Sequence, residues 1–181
     1  MKKGISNDCA FLFPGAGMDF GKHIKNLNEK HFKELARYCE RVKVHTSMNV
    51  LEYILEELTG RFEEELISQV TSYTVNCFTY KLYRQLGINP GTMLGYSMGI
   101  YSALACSESI SFEEGIDLIV NAYELMKKDM KGLSGAMCVI IGFTRCDVEE
   151  IIQTSGCSGS AYIANENSEY SIVVSGIKDG I

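Results

Sequence analysis

The feature that most constrains this chain is Gly95-Tyr-Ser-Met-Gly99. A short apolar run, Thr92-Met-Leu94, precedes it, and Ile100 to Ser107 follows with the composition of a helix. A G-x-S-x-G pentad between a strand and a helix is a sharp turn. Its glycines let the chain reverse, and its serine hydroxyl stands out at the helix N-terminus, where backbone N–H groups can stabilise an oxyanion. The pattern points to a nucleophilic serine on an α/β scaffold; the bland alternative is a serine N-cap after a tight turn.

The neighbouring segments fit an α/β chain. Asp8 to Phe13 is an apolar run that ends at Pro14-Gly15, as a buried strand would before a turn. Apolar residues recur at helical spacing from His31 to Val42, from Val50 to Leu58, and from Phe62 to Leu86, with Gly87 and Pro90 as stops. Ser111-Phe-Glu-Glu114 is a capping box. The helix it opens carries Glu113 and Glu114 in its first turn and Lys127, Lys128 and Lys131 in its last, in accord with the helix dipole, and Gly132 marks its end. The texture changes near Gly135. Ala136–Phe143 reads as a strand, Cys146–Thr154 as a short helix, and Ala161–Ala164 and Ser171–Ser175 as strands. This β-α-β-β run is part of a ferredoxin-like unit, two elements short of completion. The expected organisation is a first domain over 1–133 and a small subdomain over 134–181, both incomplete.

Composition excludes several classes of function. The 181 residues carry 17 basic and 23 acidic side chains, a formal net charge of −6. Non-specific nucleic-acid binding needs clustered Lys and Arg, so no nucleic-acid partner is expected. No stretch approaches the roughly 20 apolar residues of a membrane span. The Cys9–Phe13 run is shorter than the roughly 7–15 residues of a signal-peptide core. A cytoplasmic chain without a membrane partner is expected. Seven scattered cysteines with no C-x-x-C offer neither a metal site nor a disulfide framework.

Phe13-Pro-Gly-Ala-Gly17 is a glycine loop directly after a strand and matches no phosphate-binding pattern. A second oxyanion donor from this loop would suit the serine chemistry. Phe11-Leu-Phe-Pro-Gly-Ala-Gly17 resembles the F-x-F-P-G-Q-G opening of the acyl carrier protein acyltransferases, of which the malonyl-CoA:acyl carrier protein transacylases are best known. Gly95-Tyr-Ser-Met-Gly-Ile-Tyr-Ser-Ala-Leu-Ala105 resembles their G-H-S-x-G-E-Y-x-A-L-x-A. Gln69 stands where that family has a glutamine. Ala164-Asn-Glu-Asn167 with Val173-Val-Ser-Gly176 resembles its N-x-N … V-x-S-G segment. The resemblance covers essentially the whole chain and the N-terminal two thirds of a family member.

The resemblance implies an α/β-hydrolase-like core with a parallel sheet, plus a partial ferredoxin-like small domain. It implies a ping-pong transfer of an acyl group from a coenzyme A thioester to the phosphopantetheine thiol of an acyl carrier protein, in fatty-acid or polyketide biosynthesis. Acyl-CoA and the phosphopantetheinyl carrier are substrates, and no bound cofactor is implied. Ser97 is then the nucleophile, the backbone N–H groups of Ala16 and Met98 are the oxyanion donors, and Gln69, Tyr96, Ala122 and Asn165 line the substrate site.

Four departures qualify this. Tyr96 replaces the family's histidine and Ile100 its acidic residue. At Ala122-Tyr123 the malonyl enzymes have Arg-Gly, and no arginine occurs from 112 to 131, so a neutral acyl group is expected over malonyl. The family's general-base histidine would lie beyond Ile181, so these residues alone are expected to catalyse poorly. His23, His31 and His45 are expected to be surface residues. Two other readings stay open: a serine acyl hydrolase, and a degenerate, non-catalytic carrier-binding protein.

Overall fold

The computed structural model describes residues 9–18, 20, 24–57 and 65–181. The chain divides into two compact units, Met1–Glu124 and Leu125–Ile181.

In the first unit, β1 (Ala10–Phe13) is followed by α1 (Glu29–Thr46), α2 (Val50–Glu57) and α3 (Glu65–Gln85), then β2 (Thr92–Gly95) and α4 (Gly99–Cys106). The chain then enters α5 (Phe112–Asp129), within which the division between the units falls. Leu58 and Phe62, the expected limits of two helices, lie outside the described residues.

Local chemistry sets the helix ends. Asn28 caps α1 by accepting from the His31 N–H at 2.9 Å, and Ser47 ends it in the left-handed region, its N–H donating to the Lys43 carbonyl. The expected capping box of α5 is present in both directions. The Glu114 carboxylate accepts from the Ser111 N–H at 2.7 Å, and the Glu114 N–H donates to Ser111 Oγ at 3.1 Å. These bonds hold the Glu114 carboxyl below its ordinary range.

The core of this unit gathers Leu35 and Val42 of α1, Val50 and Ile54 of α2, Val70 and Tyr73 of α3, and Ile116 and Ile119 of α5. From Val70 to Phe78, α3 is buried all round. The residues that let it run through the interior include the small polar Thr71, Ser72 and Thr74, and Asn76. Tyr73 is fully buried, stacks on Phe112 and donates to the Phe112 carbonyl at 2.9 Å, so α5 is fixed on α3 by both packing and a hydrogen bond.

The sheet of this unit joins β1 to β2 in parallel, with Phe13 opposite Gly95 and Leu12 opposite Leu94. Both strands therefore end at the same edge, and the segments after them, 14–18 and 96–98, emerge side by side.

In the second unit, β3 (Gly135–Ile141), α6 (Arg145–Thr154), β4 (Ala161–Ser168) and β5 (Ser171–Ile177) form an antiparallel sheet of order β3-β5-β4. A β-α-β-β segment of a ferredoxin-like unit has this order, with its third strand between the other two. Val148 of α6 packs on Ala161, Ile172 and Val174 beneath the sheet. The fold is thus α/β with a parallel-sheet core and a separate partial ferredoxin-like unit, as expected. No helix among the described residues is long and apolar enough to cross a membrane.

Burial also fixes how the first unit responds to alkali. It pushes the Tyr38 phenol and the Cys39 thiol up to about 12. Tyr73 moves the same way through burial, and Cys106 through its contact with Cys77 and burial. In the unfolded chain these groups ionise near their ordinary values. Between pH 9 and about 12 the unfolded state therefore releases protons that the folded state keeps, and stability falls. Urea midpoints under reducing conditions should decline steadily above pH 9; midpoints unchanged to pH 11 would contradict this account.

Candidate active site

The site is built on the shared edge of β1 and β2. In open parallel sheets the carboxyl ends of the strands are where ligands bind, because the loops there are free to diverge. The Tyr96 N–H donates to the Phe13 carbonyl at 2.9 Å, extending the strand pairing by one residue. The chain then turns at Ser97, which is exposed and has φ +51°. A side-chain-bearing residue in the left-handed region is held there at a cost.

The turn works only because backbone approaches backbone. A Cβ on Gly95 would lie 2.2 Å from the Ile100 nitrogen, and one on Gly99 would lie 2.2 Å from the Phe13 carbonyl oxygen. The spacing of the two glycines around Ser97 therefore follows from a close crossing of α4 over the end of β1.

Helix α4 starts with Gly99 N–H to the Tyr96 carbonyl at 2.8 Å and Ile100 N–H to the Ser97 carbonyl at 3.2 Å. The Met98 N–H lies one residue before these bonds, so the helix does not use it. The loop after β1 lies against the same turn: a Cβ on Gly15 would be 3.3 Å from Ser97 Cβ and 3.3 Å from the Tyr96 carbonyl oxygen. Ala16, the next residue, is exposed. The loop and the head of α4, which carry the two expected donors, thus meet beside Ser97.

The other expected residues lie on separate elements. Tyr96 is on the turn and is 59% exposed. Gln69 is half-buried on α3 and Ala122 is exposed on α5; among the described residues neither is hydrogen-bonded to the turn. Asn165 is on β4 in the second unit, where its amide donates to Asn167 Oδ1 at 2.7 Å.

Of the histidines expected at the surface, His45 is exposed. His23 lies outside the described residues. His31 is partly exposed in the first turn of α1. His45 Nε2 lies 2.7 Å from Asp117 Oδ1 and so joins the ends of α1 and α5.

One residue of the site carried no sequence signal of its own. Asn76 of α3 is 7% exposed, and its amide reaches the Pro14 carbonyl at 3.1 Å and Ser102 Oγ at 3.2 Å.

Known proteins share the sequence pattern and the fold of this chain. The chain is 28% identical over 172 residues to a polyketide biosynthesis malonyl CoA-acyl carrier protein transacylase of Bacillus velezensis, covering 94% of this chain and 57% of that protein. It is 30% identical over 185 residues to a polyketide biosynthesis protein of Burkholderia thailandensis, covering all of this chain and 15% of the relative. A malonyl CoA-acyl carrier protein transacylase from Clostridium perfringens superposes with a TM-score of 0.79 at 28% identity, over 96% of this chain and 54% of that one. The chain is similar over nearly all of its length to acyl carrier protein transacylases. It spans about half the length of curated family members such as the Bacillus protein. No protein-family model matches it. A malonyl-transacylase solved in complex with its type II PKS acyl-carrier protein shares the fold, with a TM-score of 0.83 at 21% identity over 96% of this chain and 56% of that one. Within the family fold, the landmarks at 11–17 and 95–105 are the two segments that meet beside Ser97.

Proposed function

We propose that this chain carries the nucleophile and oxyanion donors of an acyltransferase that moves an acyl group from acyl-CoA to the phosphopantetheine thiol of an acyl carrier protein, in fatty-acid or polyketide biosynthesis. The observation that carries the reading is Ser97, exposed at φ +51° on a strand–turn–helix, with the loop after β1 against it.

In the first half-reaction Ser97 Oγ attacks the thioester carbonyl. The carbonyl oxygen becomes an oxyanion, accepted by the Ala16 and Met98 N–H groups. The carbon–sulfur bond then breaks, and the proton lost by Ser97 ends on the departing coenzyme A thiol. In the second half-reaction the carrier's thiol attacks the acyl-Ser97 ester, and the proton returns to Oγ. Acyl-CoA and the carrier are substrates, and the scheme uses no bound cofactor or metal. Tyr96, on the Ser97 turn, is assigned to substrate contact; the roles of Gln69, Ala122 and Asn165 rest on the resemblance alone.

The acyl group we assign is neutral. A carboxylate leaving water needs a paired cation, and arginine's fork suits it best. The α5 positions 122 and 123 hold Ala and Tyr. Single-turnover loading should therefore favour acetyl-CoA over malonyl-CoA by about tenfold or more.

The test is intact-mass spectrometry of the chain after acetyl-CoA or malonyl-CoA, followed by addition of holo carrier protein. One acetyl group on Ser97, passed to the carrier faster than to water, is the expected result. A malonyl preference would overturn the assignment of the acyl group. Discharge to water alone would make the protein a serine acyl hydrolase. Carrier binding without any mass increase would make it a non-catalytic binder.

A further inference from the structure

We infer that Asn76 is a positioning residue of this site: by tying the Pro14 carbonyl to α4 it keeps the Ala16 and Met98 N–H groups aimed at one point beside Ser97. The inference rests on the acyl-transfer reading above and names a part of its machinery that neither glycine motif contains.

The hydrogen bonds are directional and leave little choice. The Pro14 carbonyl only accepts, so the amide of Asn76 must present its nitrogen, and its two N–H bonds go to Pro14 O and Ser102 Oγ. Ser102 is fully buried on α4, five residues after Ser97. The side chain therefore spans three pieces of chain: the loop that holds Ala16, the helix whose head holds Met98, and α3 behind both. It does so from the interior, where an unpartnered amide is costly.

The anchor falls directly after the last backbone pairing between the two strands' ends. Phe13 is still held by the Tyr96 N–H. The next carbonyl is Pro14's, and Asn76 holds it. Two residues later comes Ala16. The same Pro14 oxygen would lie 2.8 Å from a Cβ on Gly99, so the anchor sits where loop and helix head touch. An oxyanion donor displaced by about 1 Å can lose on the order of a hundredfold in rate. Asn76 touches neither nucleophile nor substrate in this scheme; it acts through the loop and the helix.

The experiment uses the 181-residue chain, a serine-reactive fluorophosphonate, and amide hydrogen exchange. Asn76→Ala should lower the maximal labelling rate of Ser97 by about 10–100-fold while the reagent's half-saturating concentration stays within about twofold. It should also speed exchange in residues 15–18. Tyr73→Phe is the control: it removes another buried hydrogen bond of α3, to the Phe112 carbonyl, and should move neither readout. An unchanged labelling rate in Asn76→Ala, or an equal loss in Tyr73→Phe, would overturn the inference. A wild-type chain that takes up no reagent would show that Ser97 is not activated within these residues alone. Exchange at 15–18 would then decide the anchor alone: faster in Asn76→Ala supports it, and unchanged overturns it.

Discussion

Gly99→Ala is expected to abolish acyl loading of Ser97 and to lower the unfolding midpoint in the same variant. The added Cβ would lie 2.2 Å from the Phe13 carbonyl oxygen, 2.8 Å from the Phe13 carbonyl carbon and 2.8 Å from the Pro14 oxygen. All three are backbone atoms, so no side-chain rotation relieves the collision. Either β1 or α4 must withdraw, which parts the loop from the helix head that completes the site. Overpacking of this kind costs about 1–3 kcal/mol and sometimes more. Gly17→Ala is the informative comparison. Gly17 has φ +84° but nothing within 4 Å of its Cβ position, so the change strains the backbone by about 1–2 kcal/mol without moving α4. Thermal melts followed by circular dichroism, with intact-mass loading on both variants, separate strain from collision. Loading at the wild-type level in Gly99→Ala would show that the close crossing is not needed.

The parts of the fold that could be read from the sequence are those fixed by local chemistry. The Ser111–Glu114 box, the helical spacing within 31–54, and the glycines around Ser97 each state a requirement within a few residues, and the structure meets them. Where the local signal is weaker, the reading falls short. The helix after β3 begins at Arg145, one residue before the expected start, because Thr144 and Asp147 form a second capping box. Strand β4 continues from Ala164 to Ser168 through Asn165, Glu166 and Asn167, which look like a loop. Register shifts between Ile163 and Asn165 and between Glu166 and Ser168 break the period-two alternation by which a strand is recognised. Asn76 was silent for a different reason. In α3 it is one polar residue in a helical run, and its meaning comes from Pro14, 62 residues away. A contact of that range leaves no trace in spacing.

Replacing Ser97 by glycine should abolish loading and make the protein more stable, whereas replacing it by alanine should abolish loading without that gain. Ser47, Ser97 and Glu108 are the described non-glycine residues with positive φ. Ser47 terminates α1, and Glu108 follows the end of α4 with its N–H on the Ala105 carbonyl, so both occupy positions where a left-handed residue closes a helix. Ser97 instead stands before a helix, where no such cap requires the conformation. Its φ of +51° is set by the crossing of α4 over β1, and the side chain bears the strain. Alanine keeps the Cβ and therefore keeps the penalty. Glycine removes it, and the net gain over alanine should be about 1 kcal/mol, or about 2–4 °C in Tm. Equal melting temperatures for the two variants would show that the turn stores no strain at this position. A gain confined to glycine would mean that the protein gives up stability to hold a hydroxyl-bearing residue at the tip, the trade expected where that hydroxyl does chemistry.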